Sequence, residues 1–284
     1  MIRLDAATVL LQWATGGLAF LWVTTRRREV GIGYGWLMRG VYLVMAAASV
    51  VVGARIGTVA VRDGCAALCA MAATVALGVS IVRRKAGVLH QRTLADRRTA
   101  RVAAMTGINR APEEIDRTVA EFPPRLDLIA PVIGFVGLVA AGIDAGGSPW
   151  LAVLRTLVGA LFLGAVSDAM LLGHWYLVQP GLARGPLLDL VRWVGLVWPL
   201  EVVALLLPTG MVSALDGSID DGYGGLLGWF WVACALTTIG LVVVTRAALK
   251  ERYYSAVMAA TGLLYLAILT AFGTDLVARA VLDG

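Results

Sequence analysis

The sequence predicts an all-α fold: a polytopic integral membrane helix bundle of about eight transmembrane helices, split three and five around a basic cytoplasmic arm. Three observations predict it. Of 284 residues, 59% are hydrophobic and only 15% charged, against roughly 25% charged in a soluble domain. The apolar residues gather into eight runs, each close to the roughly 20 residues that a helix needs to cross the hydrocarbon core. The basic residues collect between alternate runs. Together these exclude a secreted disulfide scaffold, a disordered tail and a nucleic-acid-binding domain.

The first run, 6–24, follows MIRLD and ends in WVTTRRRE without a small-residue cleavage site, so it is expected to stay as a helix. The second and third are 32–54 and 64–82. GIGYG at 31–35 opens a membrane helix and is no phosphate loop; its glycines, like Gly53 and Gly57, suit close helix contact. Residues 83–126 then interrupt the pattern. Within them GVLHQRTLADRRTARVAAM reads as a basic helix, and Pro112 opens a second with Ile115, Val119 and Phe122 on one face. Such an arm is expected to lie on anionic lipid, on the protein's own inner surface, or on a redox or other cytoplasmic partner subunit.

Five further runs follow at 127–145, 150–178, 186–207, 225–246 and 253–280, giving segments 1–82, 83–126 and 127–284. Aromatic residues mark many run ends (Tyr34, Trp36, Trp150, Trp193, Tyr253), where amphipathic rings suit the headgroup layer. The connections after runs one, three, five and seven hold 3, 10, 1 and 3 basic residues, whereas the opposite side holds Arg3, Arg55, Arg62 and Arg279. Basic residues are retained on the cytoplasmic side, so both termini are expected outside. Arginine outnumbers lysine 22 to 2, the usage of a high-GC bacterium, whose plasma membrane is the expected location.

The chemistry is bounded first by what is missing from the sequence. Cys65, Cys69 and Cys234 form no CxxC pair, His90 and His174 are the only histidines, and there is no HExxH and no nucleotide-binding glycine loop. Neither a bis-histidine haem within the chain nor an iron–sulfur cluster is expected, and no metal site is assigned.

What remains is the set of ionisable and ring side chains inside the spans, each a functional candidate by default. The fifth run supplies Asp168, His174, Trp175 and Tyr176. Asp168 and Trp175 share a helix face, whereas His174 lies about 120° around and roughly 9 Å further along. The sixth run adds Glu201 after Trp198-Pro199, and Asp189 with Arg192 at ion-pair spacing. Arg39 is read as a charge partner for Glu201 or a lipid-facing snorkeller. Asp275 and Arg279, at i and i+4, read as a salt bridge on the helix surface.

Donors such as His, Tyr, Trp and Arg beside a carboxylate are the groups a quinone site needs. The reading the residues favour is therefore a membrane subunit of a bacterial respiratory complex, binding a quinone between helices and conducting protons, without its own haem or iron–sulfur cluster. A small-molecule or ion transporter using Asp168, Glu201 and Arg39 is a second reading. An anchor or assembly factor whose arm docks a partner is a third.

Overall fold

Asp5 starts the first helix by capping it. Its carboxylate accepts the backbone N–H groups of Ala7 and Thr8 at 3.3 and 3.0 Å, satisfying donors that a helix start leaves without partners. In the computed structural model, which describes residues 4–86, 88, 120–179, 182–251 and 253–283, this helix is α1 (Ala6–Thr25). It is followed by α2 (Ile32–Ile56) and α3 (Ala60–Val82). Beyond the arm come a 3₁₀ turn (Pro124–Leu128), α4 (Ile129–Asp144) and α5 (Pro149–Val178), which has proline in its first turn. The chain ends with α6 (Gly185–Leu206), the short α7 (Gly210–Leu215), α8 (Leu226–Ala248) and α9 (Tyr254–Leu282). No strand occurs among the described residues.

Among the described residues eight long helices fall close to the eight apolar runs, and seven, with α4 taken together with the 3₁₀ turn before it, are long and apolar enough to cross a membrane. The exception is α6, whose 22 residues include Asp189, Arg192 and Glu201. Its Leu196, Leu200 and Val203 nevertheless face outward at 50–57% exposure, while Glu201 points inward and is fully buried. Helix α3 begins at Ala60, four residues before its apolar run, because Asp63 accepts the backbone N–H of Val59 and draws Arg62 and Asp63 into the first turn. The expected arm helices fall largely on 89–119, outside the described residues, as do His90, Ile115 and Val119.

Helices α1 and α5 form the centre, with 67% and 72% of their most apolar stretches buried, against 33–44% in the other five candidate spans. Helix α1 packs on α2, α4 and α5, and α5 also packs on α4, α6 and α9. Glycine permits this: a Cβ on Gly16 would lie 1.8 Å from the carbonyl oxygen of Ala160, and one on Gly164 would lie 2.2 Å from the carbonyl carbon of Gly16. The outer surface carries exposed Val44, Val51, Val75, Val136, Val243 and Leu269, a shell that water would not favour and lipid chains do. The chain is a multi-pass membrane protein.

Candidate functional site

Three polar groups sit inside this apolar shell, at successive depths. The first lies at the end of the bundle where the 26–31 turn meets residues 120–128, here called the arm end. Arg39 of α2 donates from Nε to Oδ1 and from Nη2 to Oδ2 of Asp127, each at 2.7 Å, with both side chains at most 3% exposed. Thr25 donates to the same carboxylate at 3.0 Å, and the guanidinium lies 4.2 Å from the ring centroid of Phe122. Arg39 therefore neither pairs with Glu201 nor snorkels to lipid. Asp127, which supplies the countercharge, was not singled out in the sequence.

Deeper, and about 15 Å from the arm end of α5 at 1.5 Å per residue, Asp168 is fully buried. Tyr42 of α2 donates to its Oδ1 at 2.5 Å, while Oδ2 has no hydrogen-bond partner. A Cβ on Gly17 would strike the Tyr42 ring at 2.0 Å, so glycine makes the space that lets the phenol reach the carboxylate. Among the described residues no arginine or lysine forms an ion pair with Asp168. Toward the arm end, the rings of Tyr34 and Trp175 meet with centroids 6.0 Å apart, and the Tyr34 hydroxyl and the Trp175 indole N–H are both buried without partners. Asp168, Trp175 and Tyr176 are thus brought into one region, completed by Tyr34 and Tyr42. His174 is not part of it: it is exposed and shares a 2.9 Å hydrogen bond with Tyr265 of α9.

The third group lies toward the opposite, far end. Asp275 accepts Arg279 Nε at 2.7 Å and Gln12 Nε2 at 3.4 Å, and Arg279 Nη2 donates to the Gln12 carbonyl oxygen at 2.5 Å. All three are fully buried, so the Asp275–Arg279 pair faces the bundle interior and not its surface. Gly159 gives them room, since a Cβ there would lie 2.3 Å from Gln12 Nε2. Arg155 of α5 donates to the carbonyl oxygens of Ala204 and Leu207 at 3.0 and 2.5 Å, placing a cation at the carbonyl end of α6. Glu201 of α6 is fully buried, and neither of its carboxyl oxygens has a hydrogen-bond partner. A cavity of about 450 Å³ opens at this end, and Arg279 forms part of its lining together with Arg62, Asp5 and Asp144.

Two further expectations are corrected or placed by the geometry. Asp189 pairs at 2.6 Å with Arg27 in the turn after α1, whereas Arg192 is exposed; among the described residues no ion pair joins Asp189 to Arg192. Tyr176 is buried and donates to the carbonyl oxygen of Ala183 at 2.5 Å. Sequence reasoning missed Gln12, Tyr42, Asp127 and Arg155 as members of these groups. A glutamine, and an arginine six residues into α5, inside apolar runs were the available signals for Gln12 and Arg155.

Compared with protein-family models, curated proteins and solved structures, the chain shows no match, and its functional reading rests on these three groups.

Proposed function

We propose that the protein is a membrane subunit of a bacterial respiratory or redox complex that binds a quinone between α2 and α5 and conducts protons, with the redox centres in a partner subunit. The observation that supports this reading is the gathering of three buried polar atoms without partners, Tyr34 OH, Trp175 Nε1 and Asp168 Oδ2. A buried unpaired donor or acceptor costs about 1–3 kcal/mol, so their grouping suits a ligand that supplies the missing partners. A quinone carbonyl accepts from a phenol or an indole N–H. Its reduction to quinol consumes two electrons and two protons, and in this reading Asp168, hydrogen-bonded by Tyr42, is the group that passes a proton. In this reading the arm faces the cytoplasm, the termini lie outside, and the bilayer is the bacterial plasma membrane.

A second reading, a small-molecule transporter, is favoured by one observation: the open cavity of about 450 Å³ has a buried charge network behind it. The two readings separate experimentally. Tagged protein purified from native membranes in mild detergent is expected to carry quinone in its organic extract and to bring a haem, flavin or iron–sulfur subunit with it. Tyr34→Phe and Trp175→Phe are expected to lose the quinone while retaining the fold. Quinone-free wild-type protein without a redox partner overturns the proposal and makes transport assays the next step.

A further inference from the structure

Three cations at the arm end are left over by the ion pairs of the bundle. Arg192 of α6, Arg246 of α8 and Lys250 in the turn after it are exposed, and among the described residues none of them forms an ion pair. Asp189, one turn from Arg192, is taken by Arg27. Glu251, beside Lys250, offsets only one of the three charges.

Helix packing turns these cations toward one groove. Gly195 opposes Val242, from which an added Cβ would lie 3.6 Å away, and Trp198 donates to the carbonyl oxygen of Ala235 at 3.0 Å. Residue numbers rise along α6 as they fall along α8, so the two helices are antiparallel. Arg192 precedes Gly195 by one turn and Arg246 follows Val242 by one turn, which puts both at about the same depth on the arm side of that contact. Arg192 is about 60° around α6 from Gly195, and Arg246 about 40° around α8 from Val242. Because the helices run in opposite directions, both rotations lead to the same side of the contact, and Lys250 continues that side by another turn. Deeper along it, Leu196 of α6 and Leu236 and Val243 of α8 are 50%, 61% and 62% exposed. Trp193, beside Arg192, is half-buried, as suits a ring in the headgroup layer.

We infer that the α6–α8 groove holds an anionic phospholipid, with its phosphodiester on Arg192, Arg246 and Lys250 and its acyl chains along Leu196, Leu236 and Val243. A guanidinium offers paired N–H donors to phosphate oxygens, and lysine adds a compact charge. Basic pockets between membrane helices are suited to acidic headgroups in this way. The apolar wall below them gives the chains a surface that water does not favour. A protein helix laid in the groove would cover unpaired cations unless it brought matching acids, whereas a phospholipid carries its charge at the depth where the cations lie. The inference does not depend on quinone binding. It gives α6, whose charged residues set it apart from the seven apolar spans, a lipid that matches those charges.

The test is photo-crosslinking of the full chain in phosphatidylcholine vesicles doped with a photoreactive phosphatidylglycerol or, separately, with a photoreactive phosphatidylcholine of the same acyl chains. Peptides covering 192–196 and 236–250 are expected to be labelled at least about fivefold more by the phosphatidylglycerol, the factor that one basic residue near a charged lipid surface supplies. The combined variant Arg192→Gln, Arg246→Gln and Lys250→Gln should lose this preference, while Arg55→Gln, at an exposed far-end arginine, should keep it. Excess inorganic phosphate at constant ionic strength should not compete. Should the combined variant fail to fold, the comparison of the two lipids on the wild type still decides, since equal labelling overturns the inference. A preference that survives in the folded combined variant overturns it too, as does displacement of the lipid by inorganic phosphate. Protection of the same peptides in native membranes would mean that a protein helix covers the groove, and likewise overturns it.

Discussion

Arg39 and Asp127, 88 residues apart in the chain, meet through two parallel hydrogen bonds of 2.7 Å in the buried arm end of the bundle. The fork of a guanidinium matches the two oxygens of a carboxylate, and this geometry repays part of the desolvation of both charges. Thr25 takes a further hydrogen-bonding position on Asp127, and Phe122 covers the guanidinium. The pair thereby ties α1, α2 and the turn before α4 together where the arm joins the membrane domain.

Removing one partner strands the other charge, so Arg39→Leu or Asp127→Leu is expected to destabilise the protein by about 3–5 kcal/mol. The double replacement Arg39→Met with Asp127→Leu leaves no orphan charge and should recover most of that loss. Unfolding midpoints in detergent measure both. A double variant no better than the worse single one contradicts the idea that the cost is the stranded charge.

Glycine substitutions give a contrast within one protein. Gly16→Ala and Gly164→Ala place a methyl group onto backbone atoms of the facing helix, so each should cost about 1–3 kcal/mol by forcing α1 and α5 apart. Gly40 of α2 has nothing within 4 Å of its added Cβ. There alanine removes backbone freedom from the unfolded chain and should stabilise by roughly 0.5–1 kcal/mol. Thermal unfolding of the three variants reads the sign directly.

These cases show where the sequence was informative. Each long helix announced itself through an apolar run, because lipid imposes length and composition on every span. The i, i+4 spacing of Asp275 and Arg279 gave their contact, but local spacing carries no information about whether another helix covers the pair. Gln12, 263 residues from Asp275, provides that cover. The same holds for Asp168, whose donor Tyr42 lies 126 residues away, and for Asp189, which the sequence assigned to its neighbour Arg192 and the fold assigns to Arg27. Side-chain partners brought in by tertiary packing have no signature in a single sequence beyond the presence of a polar group in an apolar run.

The placement of His174 leads to a direct comparison. It is exposed and bonded to Tyr265, while Tyr34 and the indole N–H of Trp175 are buried and the two rings meet. His174→Ala is therefore expected to retain the quinone content of the wild type, and Tyr34→Phe to reduce it at least about tenfold, as loss of a ligand hydrogen bond of about 1.4 kcal/mol or more would do. Quinone quantified per mole of purified protein checks this. Loss in His174→Ala but not in Tyr34→Phe would move the binding region from the α2–α5 interface to the lipid-facing side of α5.

Outside the membrane, Asp221 organises the loop that leads into α8. Its carboxylate accepts the backbone N–H groups of Gly225, Tyr223 and Leu227 at 2.8–2.9 Å. These donors favour the ionised form and hold its pKa below the ordinary carboxylate range, with Gly225 the largest cause; Asp216, bonded by Ser218, is lowered in the same way. A depressed folded pKa contributes stability that is present above the unfolded value of about 3.9 and is lost as the pH falls through the folded value. The amide resonances of Gly225 and Leu227 should therefore keep their neutral-pH positions through about pH 4 and move together only on further acidification. Asp221→Asn should shift them at neutral pH, since the amide group accepts with one oxygen only. A titration midpoint at or above the free-aspartate value would show that the loop is not held by this carboxylate.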